Sequence, residues 1–193
     1  MADFIAALKK LAEAEGGYAN NPNDKGGETF KGISRKYHSD WPGWKRVDLL
    51  KTSPDFPRIA EADPDLTGAV GVFYRVEYWN RIKGDDIPQQ EIAEYLFDTA
   101  VNFGTGPTDP DGASIYLQSA LNEMGATLTV DGVIGPATLS ALRTLGSAAS
   151  SRELLMWKLT RRRLVYRVKA CLADRSQTAN LLGWLRRDLR LGC

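Results

Sequence analysis

The chain has 193 residues, 43% hydrophobic and 25% charged, a length that allows one domain or two small ones around a shared interior. That composition excludes a low-complexity chain, and no run is long and apolar enough to predict a transmembrane segment. Net charge is only +1, yet residues 1–150 carry 14 Lys and Arg against 21 Asp and Glu, while residues 151–193 carry 11 against 3.

In chain order, Asp3 is a plausible N-cap for a first helix, in which Phe4, Ile5, Leu8, Leu11 and Ala12 form one apolar stripe. Gly16-Gly17 ends it and puts Glu15 at the helix C-terminus, where the backbone dipole disfavours a carboxylate's charge. The stretch from Tyr18 to Ser34, dense in Asn, Asp and Gly, predicts turns joining short extended segments, a small β-hairpin. Trp41 to Pro64 carries several prolines and reads as a loop with a short helix. Helical periodicity returns over 66–82, 89–103 and 113–124. A turn-rich loop then leads into a helix ending near 146, and two more helices are expected over 151–173 and 176–190. The fold class this predicts is α+β, mostly α-helical, with one small β element near the N-terminus.

The basic C-terminal stretch has two readings: a surface for anionic polymers, or helices lying against the acidic remainder of the chain. Within it, the run Arg161-Arg162-Arg163 reads as a solvated helix face. Lys9, Lys10 and Glu13 break the apolar core that a signal peptide needs, so none is expected. Cys171 and Cys193 make no disulfide framework and read as unpaired thiols. His38, the single histidine, argues against a histidine-rich metal site and against a Ser-His or Cys-His hydrolase.

Two carboxyl groups with different jobs cleave a glycosidic bond: a protonated acid for the leaving oxygen, and an ionised partner that activates water or steadies positive charge. Glu15 and Asp24, flanking the turn-rich stretch, meet that need, and the Thr29 hydroxyl is placed to hold the water. Glu28 is a rival for the second carboxylate, or else a group pointing into solvent. Tyr18, Phe30, Trp41, Trp44, Tyr74, Tyr78 and Trp79 are available to stack on sugar rings or to fill a core. Asn102 would bond an N-acetyl group or cap a helix end. Asp131-Gly132 with Gly135 makes a tight turn at positive φ.

The runs Glu15-Gly16-Gly17-Tyr18, Asn20-Asn21-Pro22-Asn23-Asp24, Gly26-Gly27-Glu28-Thr29 and Gly32-Ile33 resemble the signature of glycoside hydrolase family 108. Tyr78-Trp79, Gly84-Asp85, Phe97-Asp98 and Val101-Asn102-Phe103-Gly104 come next, in the order expected of that family. Leu117-Gln118, Asp131-Gly132, Gly135-Pro136 with Thr138, and Gly183-Trp184 are similar to the peptidoglycan-binding domain that commonly succeeds its catalytic part. The order Glu15, Asp24, Thr29 is also similar to the phage-type lysozyme triad, with a second gap one residue shorter than usual.

The resemblance implies a lysozyme-like fold with a catalytic part over 1–105 and a C-terminal helical peptidoglycan-binding part over 106–193, packed as one unit with a groove between them. It implies an N-acetylmuramidase, as in phage endolysins, that cuts the β-1,4 bond between N-acetylmuramic acid and N-acetylglucosamine. Glu15 would be the general acid, Asp24 the base or electrostatic partner and Thr29 the third member. Tyr18, Glu28, Tyr78, Trp79 and Asn102 would contact substrate. No metal or organic cofactor is implied. The partners are peptidoglycan glycan strands and, through the basic C-terminal helices, anionic envelope polymers. A monomer is expected, made in the cytoplasm and reaching the wall by lysis, by injection or with a holin's help. A lytic transglycosylase on the same bond and a non-catalytic wall-binding module are the alternatives. No nucleic-acid-binding motif is present.

Overall fold

Residues 1–12, 16–20 and 27–192 are described by a computed structural model of the chain, so Glu15, Asp24 and Cys193 lie outside the described residues. The chain divides into two compact units, Phe4–Trp79 and a second made of Met1–Asp3 with Asn80–Cys193. As the sequence predicts, helices dominate and the strands gather near the N-terminus. No helix among the described residues is long and apolar enough to cross a membrane.

In the first unit, α1 (Phe4–Ala12) buries Phe4, Ala7 and Leu11. Ile5 is 68% exposed, so the buried arc is narrower than the predicted stripe. At about 100° per residue, Ile5 and Ala12 fall roughly a quarter turn from Phe4 and Leu11. The hairpin region forms a three-stranded antiparallel sheet in the order β1 (Tyr18–Asn20), β2 (Glu28–Phe30), β3 (Ile33–Ser34). Only Lys31 and Gly32 join β2 to β3, at φ +45° and +81°. Those left-handed angles match the twist of the flanking strands, and Gly32 takes them without a Cβ penalty. Phe30 and Ile33, opposite each other, are both buried.

The proline-rich stretch is more helical than expected. It contains α2 (Gly43–Leu50) and α3 (Arg58–Glu61), and α4 (Pro64–Tyr74) comes directly after. Pro42, Pro57 and Pro64 each stand at a helix start, where the missing N–H has no helical partner to lose. Prolines that read as loop markers are helix initiators. The Asp63 carboxylate caps α4 by accepting from the Leu66 N–H at 2.9 Å, and Arg46 grips it through Nη2 at 2.7 Å. Arg46 thereby holds the Asp63 carboxyl below the usual carboxylate range. After Tyr74 the chain widens into a π-helical turn, Arg75–Trp79, ending the helix earlier than the predicted Ile82.

In the second unit, α5 (Gln90–Phe103), α6 (Ala113–Glu123), α7 (Pro136–Leu145), α8 (Ala149–Ala173) and α9 (Thr178–Gly192) lie close to their predicted spans. Ile92, Leu96, Leu117, Leu121, Leu142, Leu155 and Leu159 build the core, and Cys171 is a buried free thiol. Through that core runs a chain of charge. Arg163 on α8 has no exposed surface and pairs with Asp98 of α5 at 2.7 Å and Asp188 of α9 at 2.5 Å. Arg187 also reaches Asp98 at 2.7 Å, and Arg167 reaches Asp188 at 3.4 Å. The solvated-face reading of Arg161-Arg162-Arg163 therefore fails at Arg163, which faces inward between two aspartates. Arg161 and Arg162 pair with Glu123 of α6, as does Lys158. Much of the C-terminal positive charge is thus met by carboxylates of the same unit.

The predicted turn at Asp131-Gly132 is present, with Gly132 at φ +76°. Its organiser is Gln118, only 2% exposed on α6. The Gln118 amide nitrogen donates to Asp131 Oδ1 at 2.7 Å and the Val133 carbonyl at 3.0 Å, and its oxygen accepts from the Gly132 N–H at 2.9 Å. Replacing Gln118 by Ala strands these groups, and leaving a buried polar group unpaired costs roughly 1–3 kcal/mol. Chemical denaturation of Gln118→Ala is expected to show a loss of about 2–3 kcal/mol, whereas an unchanged midpoint would show that the turn holds itself.

Candidate active site

The sequence-predicted residues that the structure describes fall into two groups. Tyr18, Glu28, Thr29, Tyr78 and Trp79 belong to the Phe4–Trp79 unit, whereas Asn102 lies in the last turn of α5 in the other unit. The Asn102 amide donates to the Asp98 carbonyl at 2.9 Å and to its carboxylate at 3.3 Å.

Thr29 sits at the centre of the sheet, opposite Ala19 on one side and Ser34 on the other, and keeps part of its surface exposed. Glu28 does not point into solvent: its side chain is only 14% exposed, and both oxygens are committed. Arg35 Nε meets one at 2.8 Å and Lys51 Nζ the other at 2.5 Å. Asp48 shares the same two cations, and the Arg35 guanidinium holds the Asp48 carboxyl below its ordinary range. A carboxylate locked between two cations behaves as a strut of the sheet.

The aromatic set narrows sharply. Phe30, Trp41, Trp44, Tyr74 and Trp79 are all buried. Trp41 and Trp44 pack edge to face at 5.1 Å. Trp79 has no exposed surface and packs against the Phe4 ring at 5.5 Å, so it fills the core and has no face to offer a sugar. Tyr78 and Tyr18 remain half-buried. Tyr78 leans on Tyr74 at 5.8 Å, and Tyr18 packs edge to face on Phe56 at 4.5 Å. His38 lies in the loop after β3 against Phe73, and its carbonyl accepts from Trp44 Nε1 at 2.7 Å.

Gly16 and Gly17, the two residues after Glu15 in the sequence, line a cavity of about 340 Å³ within this unit. Its apolar walls come from Leu8 and Leu11 of α1 and Val70 of α4, and its charged groups are Lys31 and Glu61. Glu61 lies at the end of α3, and its carboxylate accepts from the Tyr18 N–H at 3.0 Å. A Cβ on Gly17 would press on that carboxylate, the movable end of the Glu61 side chain. Lys31 binds the neighbourhood together. Its N–H donates to the Gly17 carbonyl at 2.9 Å, its ammonium to the Glu61 carbonyl at 3.1 Å, and its own carbonyl accepts from the Tyr74 hydroxyl at 3.0 Å. Glu61 and Lys31 escaped the sequence reading because their partners are long-range: 43 residues separate Tyr18 from Glu61, and 30 separate Lys31 from it.

Apolar walls with a few placed polar groups, next to a sheet of fixed register, are the make-up of a small-ligand pocket. The description "Glycosyl hydrolase 108" matches residues 8–104, and "Predicted Peptidoglycan domain" matches residues 112–189. Among solved structures, that of SagA from Brucella abortus is similar, at 25% identity and a TM-score of 0.60, covering 98% of this chain and 95% of that one. No curated protein matches. With this likeness, the mostly helical fold and its small sheet are consistent with a lysozyme-like architecture. The first matched stretch runs past the first compact unit and takes in α5, which folds with the C-terminal helices.

Proposed function

The chain belongs to the glycosyl hydrolase 108 family, and on that premise we propose that this peptidoglycan-acting glycoside hydrolase is a muramidase. The bond cut is the β-1,4 link between N-acetylmuramic acid and N-acetylglucosamine, and Glu15 is the general acid. The observation that carries this reading is the cavity bordered by Gly16 and Gly17, the residues next after Glu15, with apolar walls and charged groups at Lys31 and Glu61. A Glu15 carboxyl turned toward those apolar walls would hold its proton to higher pH, as protonation of a leaving oxygen requires. Asp24 is the ionised partner and Thr29 holds water, while residues 106–193 bring the enzyme to the wall. The cytoplasm makes the protein as a monomer, and release, injection or a holin delivers it, as for an endolysin.

Glu61 gives this reading one variant, because it is a described carboxylate on the same cavity. Inverting and retaining mechanisms both need two carboxyl groups, so Asp24 and Glu61 compete for the second role. Mass spectrometry of fragments released from purified peptidoglycan tests both points. Reducing N-acetylmuramic acid ends are expected, and reducing N-acetylglucosamine or 1,6-anhydro ends would overturn the muramidase assignment. In the same assay Asp24→Asn should depress release far more than Glu61→Gln. The reverse order would give Glu61 the second role.

A further inference from the structure

The Asn80–Cys193 unit holds a second kind of site. A cavity of about 180 Å³ is lined by Asp111, Tyr116, Arg161, Arg162, Tyr166 and Lys169. It lies below the roughly 300 Å³ at which ordinary small-molecule pockets begin, so it suits an end group rather than a disaccharide. Both signs of charge border it. Lys158, Arg161 and Arg162 share the single carboxylate of Glu123, and Lys169 adds a cation with no ion-pair partner among the described residues. The buried Nε–H of Arg162 also finds no acceptor among the described residues. Facing these cations, Asp111 Oδ1 accepts from the Tyr116 hydroxyl at 3.0 Å. Burial, and then the neighbouring Asp111 charge, push the Tyr116 phenol up, which keeps it a donor. Tyr166 is fixed edge to face against Phe103 at 4.8 Å.

We propose that this cavity binds the peptide of peptidoglycan rather than its sugars, taking an amino-acid end that carries a free carboxylate beside a free ammonium group. The carboxylate meets Arg162 and Lys169, and the ammonium meets Asp111. A plain polyanion such as a phosphate polymer satisfies the cations but leaves Asp111 facing like charge, so the mixed lining selects a zwitterionic group. The inference rests on the C-terminal domain having peptidoglycan as its partner.

Calorimetric titration of the full chain tests it with three probes. The first is the tripeptide L-alanyl-γ-D-glutamyl-meso-diaminopimelate, whose last residue has the zwitterionic end. The second is its lysine-ended analogue, which lacks the carboxylate there. The third is glycan strand stripped of peptide. The first should bind, and the second should bind about tenfold more weakly or worse, the effect of losing one charge-assisted hydrogen bond. Lys169→Ala and Asp111→Asn, both accessible positions, should each weaken the first probe about tenfold with unchanged circular dichroism. Equal binding of both tripeptides, indifference to both substitutions, or binding by stripped glycan alone would overturn the proposal. Fragment release from sacculi, measured alongside, separates the two readings. Cleavage without tripeptide binding removes this site and spares the muramidase, whereas tripeptide binding without cleavage does the opposite.

Discussion

Glu15→Gln is expected to lower fragment release from peptidoglycan by at least about a hundredfold, while leaving the melting temperature and sacculus binding near wild type. Glutamine keeps the shape and hydrogen-bonding reach of glutamic acid but has no proton to give. Positioned general acid catalysis contributes roughly 10²–10⁴-fold, and an unassisted sugar oxygen is a poor leaving group. The measurement is the rate of reducing-end formation at saturating sacculi, so that a binding defect is not read as a chemical one. Activity within about threefold of wild type would remove Glu15 from the acid role. Chemistry would then have to be sought among carboxylates such as Glu61, on the cavity that Gly16 and Gly17 line.

The second large effect is on stability. Arg163→Ala should cost about 3–5 kcal/mol, because it leaves Asp98 and Asp188 buried and facing each other without the guanidinium between them. The comparison that makes this informative is Arg161→Ala, two positions earlier in the same run. Arg161 is half exposed, shares Glu123 and lies over the exposed Trp157 ring, so its loss should cost less than about 1 kcal/mol. Urea titrations of the two variants should therefore separate widely. Similar midpoints would mean that Arg187 and Arg167 take over the two aspartates, and that no single arginine holds α5, α8 and α9 together.

That contrast also shows where sequence reading stops. Three consecutive arginines give one charge pattern, yet successive helical residues point about 100° apart, so one of the three must face differently from its neighbours. Which one faces inward depends on Asp98 and Asp188, both distant in the chain, and no local pattern carries that. Periodicity placed α5 to α9 well because their apolar faces repeat within a single element. It failed between Trp41 and Pro64, where proline has two meanings, helix stop and helix start, and only the residues on its C-terminal side distinguish them. Aromatic residues behaved like the arginines. Tyr78 and Trp79 are adjacent and equally suited to a sugar, but the π-helical turn buries the tryptophan and leaves the tyrosine half open. The family was legible because its motifs are contiguous, whereas Glu61 had no local signal at all.

Lys31 is a turn residue that three unrelated pieces of chain lean on. Its backbone and ammonium reach the segment after Glu15, the end of α3 and the tyrosine that closes α4. This two-residue bend is a surveyor's peg, from which distances across the cavity are laid out. Elsewhere a surface turn is where evolution inserts and deletes freely. Here one added residue would reset the β3 register and redraw the cavity wall together, so variation in substrate preference must come from side chains around this point and not from the loop itself.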